Sequence, residues 1–164
     1  MVATAKKNYP LKEMMPTLME KIRETFIKDG FHIPLVFAMT GNELKMICPV
    51  FNDGEDKEKF SLMLRGMAKN GMTEMIFVME SWTCPPSKGK EAMEWASNHD
   101  GSIEDFPHKT EAVTLTYQRK GYGELRQAEI RRDGDPDKPD LGPWSRIGDG
   151  SETAVGRFAN IFED

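Results

Sequence analysis

The chain has 164 residues, of which 38% are hydrophobic and 30% charged, with a formal net charge of -5 and a pI near 5.3. That length suits one domain with one core, and the composition is that of a globular protein. The acidic balance argues against general nucleic-acid binding, which needs a concentrated basic face, and no apolar run reaches the roughly 18 residues of a membrane helix.

The start, "MVATAKKNYP", has no apolar stretch of signal-peptide length. Cys48 and Cys84 are too few for a disulfide framework. A cytoplasmic protein with reduced thiols is therefore expected. Residues 1–9 read as a loose arm. Leu18, Met19, Ile22, Phe26 and Ile27 fall at helical spacing and predict a first helix over residues 11–29, stopped by Gly30. A proline costs about 3 kcal/mol inside a helix, so Pro16 places the regular helix near Met15 or kinks it there.

"FHIPLVFAMT", "GN" and "ELKMICPV" predict a hairpin with Gly41 in the turn. "NDGEDKEKFSLMLRGMAKNG" predicts a second helix, capped by Asp53 or Asp56, that buries Phe60, Met63, Leu64 and Met67. "MTEMIFVMESW" is near-continuously apolar, as an interior strand is. Between residues 83 and 109 a short helix behind Ser87 would turn Met93, Trp95 and Ala96 inward. "TEAVTLTYQRK" and "ELRQAEIRR" predict a second hairpin, its last strand polar enough for a sheet edge. Residues 133–164 are rich in Asp, Gly and Pro and read as a mostly irregular tail, with Trp144, Val155, Phe158 and Ile161 as anchors.

The order is α-β-β-α-β-(α or loop)-β-β. It predicts a single α+β domain with two main helices and a mixed sheet of about five strands. The expected core holds Phe37, Met46, Phe60, Leu64, Phe77, Met79 and Leu115. If the second and third strands are neighbours, they run parallel, and their carboxyl ends share one edge of the sheet, where ligands often bind. Glu80 ends the third strand there, and burial would raise its carboxyl towards acid–base use. Cys84 with His108 or His99 would supply a nucleophile and base. Trp82, Lys109, Cys48 and Trp95 are binding candidates around the same edge. The competing reading of Glu80 is an exposed strand end or an ion pair with Lys109 or Arg119.

Cys48, Cys84, His99 and His108 have the chemistry of zinc ligands but not the paired spacing, so neither metal nor cofactor is expected. His32 reads as a packing residue at a strand start. Arg119, Lys120, Arg126, Arg131 and Arg132 read as a solvated edge strand. Phosphate-loop, nucleophile-elbow, zinc-protease and dinucleotide motifs are missing.

"FVMESW", "DFPHKTEAV", a polar final strand and "LGPW" resemble a group of uncharacterised bacterial and phage-type proteins. The positions that carry the resemblance are Glu80, Ser81, Trp82, Pro107, His108, Lys109 and Glu111, around the middle of the chain. The resemblance implies no activity, but it draws attention to Glu80, Trp82 and His108 as a spatial cluster. The element order is also similar to that of deaminases and isopeptidase-type metalloproteases, whose ligands this chain lacks. The expectation is a small non-enzymatic accessory or interaction protein, self-associating or bound to a protein partner. The alternative is a small hydrolase or transferase-like enzyme using Glu80 with His108 or Cys84 at the carboxyl edge of the sheet, with a small molecule as the alternative partner.

Overall fold

Apolar alternation and glycine turns build one antiparallel sheet. The computed structural model describes residues 8–100, 103–135, 137–147 and 158–163. The strands are β1 Leu35–Thr40, β2 Glu43–Ile47, β3 Met72–Thr83, β4 Thr110–Arg119, β5 Tyr122–Arg131 and β6 Asp140–Ile147. The helices are α1 Pro10–Asp29, α2 Gly54–Lys69 and α3 Gly89–Ser97, the last preceded by a 3-10 turn at Pro86–Lys88. The sheet order is β2-β1-β3-β4-β5-β6 and every neighbouring pair is antiparallel. This corrects the expected mixed sheet. β2 and β3 do run in the same direction, but β1 lies between them, so no parallel ladder forms.

Each face of the sheet has its own core. On one side Leu11, Met15, Ile22 and Phe26 of α1 pack on Ile76, Val78, Val113, Leu115 and Tyr117. On the other, Leu64 of α2 and Ile161 pack on Val36, Ala38, Met75 and Phe77. Residues 158–163 are fastened over this second core. Arg65 donates to the carbonyls of Asn160 and Ala159 at 2.8 and 2.9 Å, and Gln118 donates to Phe158 O at 2.7 Å while accepting from Ile161 N at 2.9 Å. Phe158 then stacks on Phe77 with ring centres 4.6 Å apart.

Most of the expected core holds. Leu64, Phe77 and Leu115 are buried, and Phe37, Phe60 and Met79 are half-buried against it. Met46 is the exception, at 64% exposed. α1 packs on β3 and β6, which leaves edge strand β2 beyond its cover. Met63 and Met93 are exposed as well, at 43% and 61%; α2 buries Ser61 and Leu64, and α3 buries Ala92. Ser87 does not cap α3; the N-cap position is Lys88, without a side-chain bond.

α1 starts at Pro10, before the expected point, and runs through Pro16. Pro16 removes one backbone bond. Against that loss, Leu11 and Met15 are buried and the Glu74 carboxylate holds the amides of Leu11 and Lys12. The region expected to be an irregular tail contributes β6, which makes β5 an interior strand. Trp144 anchors β6 by donating to Met19 O at 3.3 Å. Val155 lies outside the described residues.

Candidate functional site

The end of β3 carries the residues singled out by sequence. Glu80 stands opposite Val113 on the α1 face, half-buried, and its carboxylate accepts the His32 amide at 3.0 Å. His32 is itself nearly buried, with Nδ1 2.7 Å from Ile33 O. Trp82 and Lys109 are brought together, the ammonium lying 4.5 Å from the indole centre. Beside them Arg132 pairs with Glu111 at 2.8 Å; that carboxylate, with Glu80 adding to it, raises the guanidinium above its usual range.

Cys84 takes a different direction. Thr83 donates to Gln127 at 2.6 Å and the Cys84 carbonyl accepts from Gln127 at 3.3 Å, on the sheet face away from Glu80. Burial pushes the Cys84 thiol up. His108 is exposed and stands edge-on to Phe106 at 5.6 Å, while Trp95 packs on Phe106 at 5.8 Å and stacks on His99 at 4.0 Å. Trp95, His99 and His108 thus gather around Phe106. No hydrogen bond or ion pair among the described residues joins them to Glu80 or Cys84. Cys48 is exposed after β2. No group of three or more His, Cys, Asp or Glu among the described residues is arranged to hold a metal ion.

The opposite end of the sheet holds a polar cluster that the sequence reading missed. Glu74 is 1% exposed, and its carboxylate accepts from Tyr117 Oη at 2.8 Å, Lys12 N at 3.3 Å and Leu11 N at 3.4 Å. It thereby does the work of an N-cap for α1, since Tyr9 supplies no side-chain cap. Burial pushes the Tyr117 phenol well above its ordinary range; Arg119 opposes this and Glu74 adds to it.

On the same face, the Glu124 side chain is 1% exposed and receives Lys12, Arg126 and Tyr122. Burial alone would raise its carboxyl, but those three donors outweigh it and hold the group at about 2. Arg146 Nε adds a contact at 3.7 Å. Arg119 stands beside this network between two rings, its guanidinium carbon 3.9 Å from the Tyr9 centre and 4.4 Å from that of Tyr122. Its one hydrogen bond among the described residues goes to Tyr117 Oη at 3.3 Å. The available signal was a charged residue at a core-facing strand position: Glu74 shares its face with Ile76 and Val78, and Glu124 shares the face of Tyr117.

The third feature is the free edge. Every residue of β2 is exposed except Ile47, which is half-buried; Leu44 is 46% and Met46 64% exposed. The other edge, β6, carries Pro143, which has no amide to donate, and a register shift at Ala128/Ile130 lies beside it. Among the described residues β2 has no outer partner, no proline and no register shift against β1; its charged positions are Glu43 and Lys45.

Protein-family profiles, curated proteins and solved structures yield no match to this chain.

Proposed function

We propose that this protein is a small non-enzymatic interaction module that pairs with a second copy of itself through the free edge of β2. The observation that carries the reading is an edge strand with no outer partner among the described residues and two large apolar side chains in water. Its geometry also fits self-pairing. Gly41, at φ 61°, and Asn42 form a two-residue turn closing on the Thr40–Glu43 pair. In an antiparallel ladder, residues alternate between pairs that exchange both backbone bonds and pairs that exchange none. Glu43, Lys45 and Ile47 therefore bond inward to β1, and Leu44 and Met46 turn their N–H and C=O groups outward.

A two-fold pairing centred on Leu44 sets it against the partner's Leu44. Glu43 then meets the partner's Lys45 and Lys45 the partner's Glu43, two complementary pairs worth about 0.2–1 kcal/mol each. The surface is thus self-complementary in charge, which a chain of formal charge -5 meeting its own copy needs. The cytoplasm suits both free thiols, Cys48 and Cys84. A hydrolase or transferase site at Glu80 has less support: its carboxylate is bonded to the His32 amide, and a thiol whose pKa is raised is a poorer nucleophile.

Sedimentation velocity over the micromolar range tests the reading. A concentration-dependent dimer is expected. Lys45→Glu sets two carboxylates opposite each other and should weaken the dimer tenfold or more, and adding Glu43→Lys should restore it. A monomer at every concentration, or a dimer indifferent to both substitutions, overturns the proposal.

A further inference from the structure

A cleft of about 700 Å³ opens where the two hairpin turns and the end of α2 meet, and Arg119 lies in its wall. We propose that this cleft binds a small organic phosphate, with the phosphate on the Arg119 guanidinium. Three observations converge. First, Arg119 is held by stacking and not by an ion pair: Tyr9 and Tyr122 flank it at 3.9 and 4.4 Å, and no carboxylate among the described residues pairs with it. A planar fork fixed by rings loses little freedom on binding and matches the oxygen spacing of phosphate.

Second, the charge is set against the average of the molecule. Lys69, Arg119 and Lys120 line the cleft with Glu163 as the one acid among the described residues, in a chain that is net acidic. That local excess of two positive charges suits a phosphate monoester, which carries about -1.5 to -2 at neutral pH, better than a single carboxylate. Third, Met72, Ile161 and Phe162 give the cleft an apolar wall for the organic part. Its volume falls within the range of about 300–1,000 Å³ typical of small-molecule sites. The neighbouring cations Lys12, Arg126 and Arg146 are engaged with Glu124, so among the described residues Arg119 is the arginine of this end left for a ligand.

The test is titration of the isotope-labelled protein with phenyl phosphate, inorganic phosphate and phenol, followed by amide NMR shifts. Phenyl phosphate should give saturable shifts at Lys69, Lys120 and Gly121, inorganic phosphate the same residues more weakly, and phenol none. Arg119→Gln should weaken phenyl phosphate at least tenfold. Arg119→Lys keeps the charge but loses the fork and should weaken it severalfold. Lys69→Gln, at an exposed helix end, serves if the Arg119 variants fail to fold, and should also weaken binding severalfold. Shifts that do not saturate, phenol binding as well as phenyl phosphate, or affinity unchanged in the folded variants overturns the proposal.

Discussion

Glu74 offers the sharpest test of how this sheet is joined to its first helix. Glu74→Ala removes a carboxylate that satisfies two amides of α1 and the hydroxyl of Tyr117, all at 2.8 to 3.4 Å, at a position 1% exposed. Leaving buried donors without an acceptor costs about 1–3 kcal/mol each at most, and the two long amide bonds sit at the low end of that range. The lost charge at the helix N-terminus acts through these same amide bonds and is not added again, which leaves a total of about 3–5 kcal/mol. Glu74→Gln separates the terms. Its oxygen can replace Oε1, which serves Tyr117 and Lys12, and only the Leu11 contact and the charge are lost, about 1–2 kcal/mol.

In urea unfolding, with a slope of about 2 kcal/mol/M, the alanine variant should lower the midpoint by about 2 M and the glutamine variant by less than about 1 M. Amide exchange in the first turn of α1 should speed up in both. Equal losses in the two variants, or a loss below about 1 kcal/mol for alanine, would refute the capping argument.

Glu124 sets an acid limit: a carboxyl titrating at about 2 instead of 4.5 represents about 3 kcal/mol, or about 2 after screening through its partly exposed partners. Because its folded pKa is lowered, that stability is complete above about pH 4.5 and is lost as pH falls towards 2. The advantage of wild type over Glu124→Gln should shrink across that window, and a constant difference would count against the assignment. Phe77→Ala should cost about 3–5 kcal/mol through lost burial and a cavity facing Phe158, and a loss under about 1 kcal/mol would remove Phe77 from the sheet centre. Gly41→Ala should cost about 1 kcal/mol from backbone strain at φ 61° alone, since no atom lies within 4 Å of the added methyl, and unchanged thermal stability would contradict the turn. Elemental analysis should find no stoichiometric metal; about one zinc per chain would make Cys48 and Cys84 the first suspects.

The elements legible in the sequence were those whose periodicity and stop signals agree. Gly30 ends α1 at φ 79°, Asp53 accepts from Asp56 N to cap α2, and Gly41 and Gly121 turn the two hairpins. β6 was illegible because Pro143 and the flanking Asp and Gly residues resemble a loop, and only an edge strand tolerates such a composition. Met46 was misplaced because alternation tells which residues share a face, but not whether a helix covers that face. Interest in Glu80 came from its position at a strand end, whereas Glu74 and Glu124 draw their role from partners more than sixty and a hundred positions away in Lys12. No local pattern reports such a pairing.

The clamp on residues 158–163 bears on the order of events at the ribosome. Arg65 meets Asn160 across 95 positions of chain, and Gln118 meets Phe158 across 40. All six described strands have been synthesised before that segment emerges, yet the Phe77 ring still lacks its stacking partner Phe158. A chain stalled before residue 158 would therefore leave the α2 face of the sheet without this cover, apolar surface of the kind that invites chaperone binding.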